Sequence, residues 1–170
     1  MPKEYAEFLQ YQLLYLNLPK YGELDPHEFI LTVNGEIKTI EQWQLGVDII
    51  YRLLISKLIK VDWAQQPEEK EYLSHIKMYC EVLAKNSPLE NNVYLADNNV
   101  WLHPYLVAYN KQKLSNLLSK FGFEVPTFGI IQPLNEKFIE ELETLFVAHG
   151  VGWSNKAIFP VESMGLLTRI

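Results

Sequence analysis

The sequence predicts a mainly α, single compact domain over residues 1–170, with about five to six helices and a few short β-strands. Three observations predict it. Apolar residues recur at spacings of three and four along most of the chain, as helices with one buried face require. Asp, Thr, Pro and Gly stand where helix capping and termination need them. No linker, repeat or low-complexity run divides the 170 residues. A chain of this size buries roughly 70% of its unfolded surface on folding, enough for a core without disulfides or metals.

Lys3 to Leu16 opens as a helix: Tyr5, Leu9, Leu13 and Leu16 share a face that Phe8 and Tyr15 widen, and Pro19 and Gly22 end it. Asp25-Pro26-His27-Glu28 is a helix start, with Asp25 as cap, Pro26 at the first position and Glu28 at the third. Phe29 to Val33 continues as a short helix or a buried strand, closed by the turn Asn34-Gly35.

Thr39-Ile40-Glu41-Gln42 has the capping-box pattern. The helix after it carries two stripes. Trp43, Val47, Ile50, Tyr51, Leu54 and Leu58 form one; Leu45, Ile49 and Leu53 form the other. A helix apolar on two faces belongs at the centre of the core. Ile59 to Trp63 alternates as a short strand. Pro67 and the acids Glu68, Glu69 and Glu71 start a further helix, with Tyr72, Ile76, Tyr79, Cys80 and Leu83 facing inward and Asn86-Ser87-Pro88 stopping it.

Residues 89–104 read as a small hairpin around Ala96-Asp97-Asn98-Asn99 or as an ordered loop. Tyr105 to Phe121 is expected to be helical, capped by Gly122. Phe123 to Gln132 is extended or looped. A last helix runs from Pro133 to Ala148, with Leu134, Phe138, Leu142 and Leu145 in line, and His149-Gly150 ends it. The tail after it holds a candidate strand near Ala157 to Val161.

Composition excludes several classes. Apolar residues make 48% and aromatics 13% of the chain, which excludes disorder. The lone Cys80 allows no internal disulfide and no cysteine-rich zinc site. No apolar run is long enough to span a bilayer, and the acidic start Met-Pro-Lys-Glu-Tyr-Ala-Glu lacks the pattern of a secretory signal. A soluble, cytoplasmic protein is expected. The net charge is -6, and only Arg52 and Arg169 are arginines. Phosphate neutralisation dominates nucleic-acid affinity, so direct DNA or RNA binding is not expected.

No catalytic motif stands out. His27, His75, His103 and His149 have no metal-ligand spacing. Cys80 lies in an apolar stripe and reads as a small core residue. No nucleophile elbow, phosphate loop or dinucleotide fingerprint occurs, and no cofactor is expected.

Two features point to a protein partner. Glu136, Glu140 and Glu143 project on one face of the last helix, opposite Leu134 and Leu142. Like charges one turn apart cost roughly 0.2–0.5 kcal/mol, so the row suits an acidic docking face for a basic partner. Trp153 and Trp101 lie in irregular stretches and are candidate exposed anchors, since Trp is favoured at interfaces.

In size, acidity, aromatic content and the Glu136/Glu140/Glu143 face, the chain resembles the bacterial immunity proteins of contact-dependent growth inhibition and related polymorphic toxin systems. The resemblance implies a cytoplasmic inhibitor that binds a cognate toxin domain, such as a basic nuclease. Thr39 to Trp63, a capped helix running into Leu58-Ile59-Lys60-Val61, is also similar to the recognition helix and first wing strand of winged-helix regulators. Its N-terminal positions, however, carry Glu41 and Gln42 where a reading helix exposes bases. An enzyme with an unrecognised site is the third alternative.

Overall fold

The structure, a computed structural model, describes residues 1–20, 22–30, 39–86, 88, 100–123, 132–154 and 156–161. Among them are five α-helices and three short strands. The order is α1 (Lys3–Leu16), β1 (Glu23–Leu24), a 3-10 turn (Pro26–Phe29), α2 (Ile40–Ile55), β2 (Ile59–Val61), α3 (Glu69–Lys85), β3 (Leu106–Ala108), α4 (Lys111–Lys120) and α5 (Glu136–Ala148). The architecture is mainly α with a small antiparallel sheet.

The centre of the core is α2. Its capping box closes at both ends: the Gln42 amide donates to Thr39 Oγ1 at 3.2 Å, and the Thr39 amide donates to Gln42 Oε1 at 3.0 Å. Val47, Ile49, Ile50, Leu53 and Leu54 are fully buried, so both predicted stripes face protein. Trp43 donates its indole N–H to the Leu83 carbonyl at 3.1 Å, which ties α2 to α3. Ile76, Cys80 and Leu83 complete that contact, and burial pushes the Cys80 thiol well up.

The sheet runs β1-β3-β2, with both pairings antiparallel. Leu106 of β3 stands opposite Leu24 and Val61, and all three are buried. Glu23, Val107 and Lys60 share the next register position on the outer face. This corrects the expectation of helix from Tyr105. The β3 segment is the middle strand, and pairing on both sides outweighs its helical spacing. The helix begins only at Lys111, where the Asn110 side chain accepts from the Lys113 amide at 2.9 Å.

Other boundaries also shift. After Asp25 the chain makes a single 3-10 turn, and Ile30 is already extended. The Asp25 amide donates to Glu28 Oε2 at 2.8 Å, as the predicted start requires. Helix α5 starts at Glu136, not Pro133, because Asn135 caps it by accepting from the Phe138 amide at 3.1 Å. Gly122 and Gly150, with φ of 76° and 72°, end α4 and α5 in the left-handed conformation that glycine tolerates. The predicted turn at Asn34-Gly35, the hairpin turn at residues 96–99 and most of the 123–132 stretch lie outside the described residues.

Candidate functional site

Helix α5 is held at its start by a buried side chain of α1. Gln10, 1% exposed, donates to the Pro133 carbonyl at 2.9 Å and accepts from the Asn135 amide at 2.8 Å. Phe138, Ile139, Leu142 and Phe146 then bury one face of the helix. The opposite face carries the predicted acids. Glu136 and Glu140 are exposed, and neither has a cation within ion-pair distance among the described residues. Glu143 is partly covered and accepts from the Met1 ammonium at 2.7 Å. Glu141 pairs with Lys120 of α4 at 2.8 Å, in place of the weaker Lys137 pairing that its spacing allows. The uncompensated acids of the row are therefore Glu136 and Glu140.

Beyond α5 the chain folds back over α2. The Val151 amide donates to the Phe146 carbonyl at 2.9 Å, and Trp153 comes to rest on Arg52, with the guanidinium 4.8 Å from the ring centre. Tyr5 touches the same ring at 6.5 Å. Trp153 is thus half-buried. Residues 158–161 do not form the predicted strand. Their main-chain groups bond to α2 side chains instead. Gln44 Nε2 donates to the Phe159 carbonyl at 2.9 Å, and the Val161 amide donates to Gln44 Oε1 at 2.9 Å. The Ile158 amide donates to Asp48 Oδ1 at 3.0 Å. One amide side chain thereby satisfies the donor and acceptor that a neighbouring strand would supply.

Between α2 and this returning segment lies a pocket of about 430 Å³, lined by Gln44, Leu45, Asp48, Arg52, Trp153 and Val161 among others. Pro2 also lines it, and Met1 beside Pro2 holds Glu143, so the end of the acidic row abuts the Trp153 pocket. Burial is the main influence on Asp48 and Arg52. It raises the Asp48 carboxyl above its ordinary range, against the Ile158 amide, the Arg52 charge and Gln44. It also lowers the proton affinity of Arg52, against the nearby Asp48 and Tyr5. Sequence reasoning missed this site, naming neither Asp48 nor Arg52 as a binding residue. Their spacing of one turn was the available signal.

Trp101 does not join this region. It is 1% exposed, and its indole N–H donates to the Asn86 carbonyl at 2.5 Å, at the end of α3. Its carbonyl accepts from the His27 amide at 3.0 Å. The expectation of an exposed anchor there is corrected: an irregular backbone stretch can still be a core plug when its indole nitrogen finds an acceptor. On α2, Arg52 and Asp48 are 1% and 6% exposed.

Among the described residues, no group of three or more His, Cys, Asp or Glu side chains is placed to hold a metal ion. No helix among them is long and apolar enough to cross a membrane. Comparison with protein-family models, with curated proteins and with solved structures gives no match.

Proposed function

We propose that this chain is a protein-binding inhibitor, an immunity protein that neutralises a cognate bacterial toxin by direct binding in the cytoplasm. The observation that carries this reading is the pair Glu136 and Glu140: exposed, one turn apart and without a cation among the described residues. Such a pair costs the isolated fold a few tenths of a kcal/mol, and a basic partner would relieve that cost. The helix that carries it is fixed at its start by Gln10 and along its length by four buried side chains. Little ordering would remain to oppose binding. The partner this charge suits is a basic toxin domain such as a nuclease.

The test is calorimetric titration with the protein encoded beside this gene, at low and at high salt. The expected result is a tight complex that weakens with salt, and weakens roughly tenfold or more in Glu140→Lys and in Glu136→Lys. Absence of a complex, or equal affinity in wild type and both variants, would overturn the proposal.

A further inference from the structure

We propose that the pocket between α2 and residues 152–161 binds a small monocarboxylate with an apolar body, its carboxylate held by Arg52. Arg52 is 1% exposed. Its Nη1 donates to the Asp48 carbonyl at 2.9 Å, and its Nη2 reaches the Gly152 carbonyl only at 3.4 Å. Its Nε has no acceptor among the described residues. No carboxylate among the described residues lies within ion-pair distance of it. A guanidinium has five N–H donors, and a buried cation without a contacting anion is costly.

The free donors point to the missing partner. Trp153 covers one face of the guanidinium at 4.8 Å, so a ligand approaches in its plane. The edge formed by Nε and Nη2 is the fork that takes both oxygens of a carboxylate, and since Nε is closed to solvent a ligand reaches it by displacing the Gly152 carbonyl from its long bond to Nη2. Arg52 lines the pocket of about 430 Å³, a volume within the range of small-molecule sites. Ile40, Leu45, Ala157 and Val161 line it too and suit an apolar body. Asp48 and Glu41 are its carboxylates among the described residues. They disfavour a phosphate dianion and leave Arg52 to neutralise one charge.

The chain has only two arginines, Arg52 and Arg169, so a ¹⁵N spectrum of the arginine Nε–H groups holds two signals. Arg169→Lys assigns the one from Arg52. Titration with hexanoate is expected to move the Arg52 signal and to saturate with a Kd of about 1 mM or tighter. Hexanol and inorganic phosphate are expected to leave it in place. Ala157→Leu, which fills the pocket without touching Arg52, is expected to weaken hexanoate at least tenfold while the amide spectrum stays folded. An immobile Arg52 signal, equal responses to hexanoate and hexanol, a response to phosphate alone, or full hexanoate binding by folded Ala157→Leu would each overturn the proposal.

Discussion

Arg52 and Asp48 stand one turn apart on α2 and meet through the main chain: the Arg52 Nη1 donates to the Asp48 carbonyl at 2.9 Å, not to its carboxylate. The carboxylate instead accepts from the Ile158 amide at 3.0 Å and from Gln44 Nε2 at 3.1 Å. The helix therefore uses one buried acid to fasten the returning segment and leaves one buried cation without a contacting anion among the described residues. Both charges are held on a central helix whose other buried residues carry no charge.

This arrangement sets a pH dependence. Burial raises the Asp48 carboxyl more than Ile158, Arg52 and Gln44 lower it. A raised folded value means that the folded protein holds a proton the unfolded chain has released. Stability then falls as pH rises through the window that opens near the ordinary aspartate value, about pH 4. Asp48→Asn keeps an acceptor oxygen for Ile158 and stands in for the protonated acid. The difference in urea midpoint, wild type minus Asp48→Asn, is expected to become more negative from pH 4 to pH 7. The raised Asp25 and Glu28 carboxyls and the lowered His27 are common to both proteins and cancel in the difference. A difference that stays flat with pH would remove Asp48 as the responsible group.

Gln44 is expected to hold residues 158–161 against α2. Gln44→Ala deletes the bonds to the Phe159 carbonyl and from the Val161 amide, each 2.9 Å. At about 1 kcal/mol per bond, the segment loses roughly 2 kcal/mol of attachment. Hydrogen exchange at the Val161 amide is expected to speed up tenfold or more. Gln44→Met, which keeps most of the volume but makes neither bond, is expected to match Gln44→Ala. Equal protection of Val161 in all three proteins would show that other contacts hold the segment.

Trp101 is expected to behave as core. Trp101→Ala removes a side chain that is 1% exposed and leaves the Asn86 carbonyl without its indole donor. A loss of about 3–5 kcal/mol in unfolding free energy is expected, and Trp101→Phe, which loses the donor but keeps most of the volume, is expected to lose less. A change within about 0.5 kcal/mol for Trp101→Ala, as at an open surface site, would contradict its burial.

The helices were legible in the sequence because their information is local. Thr39 and Gln42 specify the start of α2 by a contact three residues long, and the stripes of α2 and α3 repeat every turn. The sheet was less legible. The Glu23–Leu24 strand is two residues long and exists only because Leu106 pairs with Leu24 across 82 positions of chain. The acidic row was legible as a pattern, but its division was not. The Met1 ammonium reaches Glu143 and Lys120 reaches Glu141, and spacing within α5 reports neither. The Arg52 pocket was hidden for the same reason, since Trp153 lies 101 positions further along the chain.

Gly46 marks a close approach that helix propensity alone would misjudge. It lies within α2, and a Cβ added there would meet the Ile30 Cγ1 at 2.6 Å and the Ile30 Cα at 3.6 Å. Alanine in a helix interior ordinarily gains about 0.8–1.0 kcal/mol over glycine. Here Ile30, the residue after the 3-10 turn, packs directly on the helix backbone, so it would have to move. Ile30 is 1% exposed and has no free space to move into. Gly46→Ala is expected to destabilise the protein by about 1–3 kcal/mol, the cost of overpacking a filled core. In a double-mutant cycle with Ile30→Ala, which removes the clashing Cγ1, the combined loss is expected to be smaller than the sum of the single losses. Additive losses, or a Gly46→Ala variant more stable than wild type in urea, would show that α2 and Ile30 do not meet this closely.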